Sequence, residues 1–163
     1  MADLGAYLLA LVDYDAASSE RVLAAAAALH DAALDATHGP GLPTIRANLA
    51  HMLSAQNVWL SRWTRKPRAP ANAGSLDELR AMFAASHVEI RGHVESRSAD
   101  ELVAPVEYVD SRGVAQADRL WALVAHVVNH GTHHRAETGL LLAAYDRSPG
   151  DMDFVYWARD HGL

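Results

Sequence analysis

Cysteine does not occur in the 163 residues. Disulfides, thiolate metal sites and a cysteine nucleophile are thereby excluded, and histidine and carboxylates remain as the ligands for any tight metal site. A glycine-rich phosphate loop is missing too. Basic residues are few and scattered: 14 Lys and Arg stand against 20 Asp and Glu, for a formal net charge of -6. Binding of nucleic acid by phosphate neutralisation is therefore disfavoured. The opening segment has no positive n-region, and Asp3 and Asp13 flank an apolar run too short to span a bilayer. The expectation is a cytoplasmic protein with neither a nucleic-acid nor a membrane partner.

The residues present suit one globular domain over 1–163. The chain is long enough to bury a continuous core, and 50% hydrophobic with 21% charged residues is the balance of a folded rather than a disordered chain. Alanine is abundant, which favours closely packed helices.

Apolar spacing predicts a first helix over about Ala2 to Leu34, through Leu4, Leu8, Leu11, Val22, Leu23, Ala26 and Leu29. The breaker cluster His38-Gly39-Pro40-Gly41-Leu42-Pro43 follows, and Thr44 is the expected N-cap of a second helix to Trp63. A basic, proline-containing loop runs from Thr64 to Gly74. Ser75-Leu76-Asp77-Glu78 reads as a capping box that opens a third helix, continuing to about Ser96. Val103 to Val114 alternates and then turns at Asp110-Ser111-Arg112-Gly113, which predicts a short hairpin or extended excursion. The fourth helix is expected from Asp118 to Tyr145, closed off by Pro149-Gly150, with a short last helix over Asp153 to Arg159. Four long amphipathic helices make an all-α four-helix bundle the expected architecture.

Histidine carries the chemistry. Of ten in the chain, four fall within His126-Val-Val-Asn-His130-Gly-Thr-His133-His134. At about 100° per residue, His126, His130 and His134 lie at roughly 0°, 40° and 80° on one helix face. The apolar stripe of this helix occupies about 60° to 140°, so His134 is inside it and His130 at its edge. His126 and His133 fall outside. Two inward imidazoles need polar partners, because an unpaired buried polar group costs a few kcal/mol, and a metal supplies them. In the second helix His51 borders the stripe holding Met52, Trp59 and Trp63, with Asn48 and Ala55 leaving room beside it. His51, His130 and His134 are thus expected to make a three-histidine site for a divalent transition metal with open positions; hydrogen-bonded histidines of the core are the alternative.

Other constellations are read more plainly. His30, His38, His87, His93 and His161 are expected at the surface. Trp59, Trp63, Trp121 and Trp157 are core or pocket lining, since no basic groove accompanies them. Ser18-Ser19-Glu20 has no base partner. Glu137, one turn past the histidines, is expected to accept a ligand's hydrogen bond or to carry a proton; a solvated helix residue is the alternative.

A likeness to a known family rests on Tyr14-Asp15 with Glu20-Arg21, on His51-Met-Leu-Ser-Ala-Gln-Asn-Val-Trp59, and on His126 to Arg135. In these the chain resembles the DinB/YfiT-like metalloenzyme family, which is unrelated to the translesion polymerase sharing the DinB name, and the likeness covers nearly the whole length. It implies an up-down-down-up bundle, often a homodimer, with a metal held by His51, His130 and His134. His126, Asn129, Met52, Trp59, Trp63 and Arg135 are then expected to line the pocket or support the ligands. The family includes thiol-dependent transferases, whose metal activates a low-molecular-weight thiol toward an electrophile. This chain departs from the family at Ala136-Glu137, where Gly-Gln is common, and at Ala16-Ala17, where a nearby aromatic is frequent. The ligands are intact, while the pocket wall differs.

Three functions remain open at this point. One is a thiol S-transferase, with a small-molecule substrate in a pocket lined by Trp59, Trp63 and Met52. Another is a metal-dependent hydrolase with Glu137 as proton shuttle, and the third is a non-catalytic metal-binding module. Three imidazoles suit zinc or nickel, and also iron or copper.

Overall fold

Asp3 opens the first helix: its carboxylate accepts the Gly5 amide at 2.9 Å, satisfying one of the donors that a helix N-terminus leaves unpaired. The computed structural model describes residues 3–72 and 74–163, so the expected start at Ala2 and position 73 of the basic loop lie outside the described residues. Among the described residues there are seven helices: α1 (Leu4–Ala26), α2 (Asp31–Leu34), α3 (Ile45–Thr64), α4 (Leu76–Glu95), α5 (Ala99–Val103), α6 (Leu120–Ala143) and α7 (Phe154–Asp160). A single antiparallel hairpin, β1 (Pro105–Val109) and β2 (Ala115–Arg119), precedes α6.

The chain leaves α1 earlier than its alanine-rich pattern predicts. His30 is extended, at φ -79 and ψ 159, and its Nδ1 accepts the Ala33 amide, which starts α2 anew. Arg46 on α3 then donates to both Asp31 and Asp35, fixing α2 off the line of α1. Helix propensity differs by only a few tenths of a kcal/mol per residue, so a cap and two charged hydrogen bonds outweigh it.

The caps at Thr44 and Ser75 fall where expected, and the box between Ser75 and Glu78 is complete in both directions. A second complete box, Ser98 with Glu101, opens α5, an element the apolar period does not reveal. The excursion expected over Val103 to Val114 is corrected: Val103 ends α5, and the hairpin runs on to Arg119, pairing Val106 with Asp118. Asp118 is consequently a strand residue rather than the start of the last long helix. Its carboxylate accepts the Tyr108 hydroxyl at 2.8 Å, and α6 begins two residues later. The carboxylate of Asp110 builds the hairpin turn by accepting the amides of Arg112 and Val114, and Gly113 supplies the positive φ of 81 that other residues resist. The last helix is shifted by one residue, because Asp153 is its cap.

The four long helices contact one another around a closed ring, α1 against α4 and α6, and α3 against the same two. Their apolar residues form two clusters. One gathers Val22, Leu23, Leu49, Leu53, Phe83 and Leu142, and the other Leu8, Val12, Leu60, Ile90, Leu123 and Val124. Along each helix the residues between these clusters are polar and buried: Asp15, Ser18 and Ser19 on α1, Gln56 on α3, Ser86 and His87 on α4, and Arg135 on α6. No described helix is long and apolar enough to cross a membrane.

Candidate metal centre

His51 projects from α3 toward the partner helix α6, which carries His130 and His134 one turn apart. Ring centroids are 5.2 Å apart for His51 and His130, 4.6 Å for His51 and His134, and 4.4 Å for His130 and His134. Each residue offers one ligand atom, and the three atoms lie within 4.8 Å of one another. The structure therefore brings together the three histidines that helical spacing selects. His51 is exposed and the other two are half-buried, so the cluster opens to solvent on one side.

Desolvation, reinforced by the neighbouring imidazoles of His134 and His51, pulls the pKa of His130 down from 6.5 to about 4. His51 is shifted the same way: its ring loses hydration against its neighbours even though much of the residue faces water, and His134 adds a further lowering that Glu137 opposes. Neutral imidazoles are what a metal needs, since each must present a lone pair.

Behind the cluster lies a support that sequence alone leaves vague. His134 Nδ1 is 2.7 Å from Glu137 Oε2. With the carboxylate accepting there, the ring carries its hydrogen on Nδ1 and keeps Nε2 free. Glu137 Oε1 is 3.0 Å from His133 Nε2. The buried amide of Asn48 donates to Glu137, to the His134 carbonyl and to Thr138, at 3.4, 3.1 and 3.0 Å. Partial burial raises the Glu137 pKa, but the His134 hydrogen bond and the charges of His134 and His133 outweigh it and hold the carboxyl below its ordinary value.

The remaining expected site residues are dispersed. His126 stands next to His130, with ring centroids at 6.1 Å, and packs edge-on against Trp59 at 5.3 Å. Trp59 in turn meets Tyr108 of the hairpin and the Arg62 guanidinium. Met52 is buried in the first apolar cluster. Trp63 is buried in the second and stacks on His93. Asn129 and Arg135 line a different groove, together with Tyr14 and Phe154 between α1 and α6. Trp121, expected in the core or lining the pocket, is exposed, because it falls on the outer face of the first turn of α6.

Arg135 is 1% exposed and belongs to the buried polar layer. Its guanidinium donates to the Asp15 carboxylate, to Ser19 Oγ and to Thr132 Oγ1. His87, expected at the surface, is buried instead, its Nε2 3.0 Å from Asp15 Oδ2. The reason is that α4 turns this face toward α1, and the carboxylate there compensates the imidazole. Burial pushes the Asp15 carboxyl up, while Arg135 and His87 together bring it below its ordinary value. Gly131 makes the close approach feasible: a Cβ there would stand 2.6 Å from Asp15 Oδ1 and 2.7 Å from Arg135 Nη1. Asp15 on the apolar stripe of α1 is the signal that sequence offers for this layer, since a carboxylate is seldom fully buried unless paired.

No match was found among curated proteins. A sequence model described as the DinB family matches residues 2–160, a span that includes all three clustered histidines and their support. On that match the chain belongs to the DinB family.

Proposed function

We propose that the chain is a divalent-metal-dependent enzyme acting on a small molecule, with thiol S-transfer as its reaction. The observation that carries this reading is the convergence of His51, His130 and His134 from two helices on a point open to solvent. The donor set fits such an ion: three imidazoles, with His130 held neutral and His134 oriented by a carboxylate. Zinc, nickel, iron or copper held there would act as a Lewis acid toward a thiol or water reaching the open side.

The protein's own contribution is orientation and proton handling. Asn48 and Glu137 fix the His134 ring, so one ligand is set before any ion arrives. Glu137 remains accessible enough to exchange a proton with solvent beside the reacting group, its side chain being 39% exposed. Trp59, edge-on to His126, supplies an apolar wall beside the cluster. The choice of a thiol is supported by the family resemblance, and so are an up-down-down-up bundle and a homodimer.

Metal-loaded, tag-free protein should conjugate a low-molecular-weight thiol to at least one member of a panel of electrophiles, and His130→Ala should abolish it. Absence of conjugation with every common cellular thiol, together with a cobalt-substituted spectrum that thiols leave unchanged, would overturn the reading. The position of Glu137 favours one second reading, a metal-dependent hydrolase. Ester or amide cleavage that needs the metal but no thiol would select it.

A further inference from the structure

Glu137 engages two imidazoles at once, one with each oxygen: His134 through Oε2 at 2.7 Å and His133 through Oε1 at 3.0 Å. His133, His134 and Glu137 each offer a ligand atom, and these atoms also lie within 4.8 Å of one another. The first set meets the same bound, and the two sets have only His134 in common. His51 and His130 do not belong to the second group, so Glu137 is not simply a fourth ligand to the first ion. The second group is built from one helix. Residues three and four apart share a face of α6, so the helix alone keeps these three in register, while Asn48 holds Glu137 from the α3 side. The group is also reachable, the side chains of His133 and Glu137 being 66% and 39% exposed.

We propose that His133, Glu137 and the Nδ1 edge of His134 form a second divalent-ion site, filled after the first and joined to it through the His134 ring. The inference rests on the reading that His51, His130 and His134 hold the first ion. Two imidazole nitrogens and a carboxylate oxygen form a donor set that suits copper, nickel or zinc. The second ion takes the place of the hydrogen shared by His134 and Glu137, and one proton leaves to solvent as it binds. Binding there is weaker, since it must immobilise the exposed His133 and Glu137 side chains, and the ion stays in contact with water.

Copper(II) titration of the tag-free protein at neutral pH tests this, followed by metal content after gel filtration and by electron paramagnetic resonance. Wild type should retain two ions per chain. The resonance should grow over the first equivalent and decline over the second, as two copper ions across one imidazole ring couple. His133→Ala and Glu137→Gln should each retain a single ion, His133→Ala with the wild-type spectrum of the first equivalent. Saturation at one ion that His51→Ala removes and His133→Ala does not would overturn the second site and leave the first reading standing. A second ion that persists in His133→Ala would overturn it as well, and absence of any bound ion in wild type would overturn both readings.

Discussion

The proton affinity of His130 follows from its position among four other imidazoles, those of His134, His51, His126 and His133, at the edge of the core. Burial and like-charged neighbours both disfavour its protonated form, so a metal-free titration followed by NMR should place its midpoint near 4. The unfolded chain takes up this proton near 6.5. Stability from this group is therefore complete above that value and declines as the pH falls toward 4, because the unfolded state then binds the extra proton. A midpoint at 6.5 would mean that the ring is hydrated and not part of the cluster. In the polar layer, Asp15→Asn leaves the buried Arg135 guanidinium without its counter-charge, and a loss of about 3–5 kcal/mol in urea unfolding is expected. Changing Arg135 to Met in the same chain should recover part of it. Gly131→Ala sets two effects against each other. Helix propensity favours alanine by about 1 kcal/mol, but overpacking against Asp15 and Arg135 costs about 1–3 kcal/mol, so net destabilisation is the expected result. At this scale the histidine cluster is legible in the sequence, because helical angles place His130 and His134 on one face. Asp15, His87 and Arg135 were harder to read, since the partner that compensates each of them sits on another helix.

Element boundaries depend on short-range chemistry that periodicity does not contain. The Ser75 and Ser98 boxes use the same four-residue arrangement. Only the first is followed by enough turns to show an apolar stripe, so α4 is apparent from sequence and the five-residue α5 is not. Both caps should matter alike: Ser75→Ala and Ser98→Ala are each expected to lower unfolding free energy by about 1 kcal/mol, measurable as a shift of the urea midpoint. The break after Ala26 was hidden for a different reason. Nothing in Ala24 to Ala28 opposes a helix, and the interruption comes from His30 and from Arg46, a residue of the next long helix. Similarly, Asp118 reads as the start of the fourth helix until Tyr108, ten positions earlier, is placed across the hairpin.

Across the whole molecule, two apolar clusters are separated by a buried layer of charged and polar side chains drawn from all four long helices. The helical composition is legible in the sequence, as is the meeting of the second and last long helices at the histidines, while the hairpin reads only as a hairpin or extended excursion whose bounds leave out β2. The polar layer is not legible there, because its burial is a property of the packed ring rather than of any single stripe. The layer has a consequence for the candidate site. Arg135 follows His134 directly in α6, so the pair with Asp15 on one side and the Asn48 and Glu137 contacts on the other hold this stretch of helix from both faces. On the proposed function, His51, His130 and His134 act together on one ion. Calorimetric titration of tag-free protein with zinc at neutral pH tests it most directly, alongside His51→Ala, His130→Ala and His134→Ala. Wild type should bind, and each variant should lose more than about a hundredfold in affinity, beyond what removal of a supporting partner brings. A wild type that takes up no zinc, or three variants that bind it as wild type does, would rule out a shared ion at these histidines.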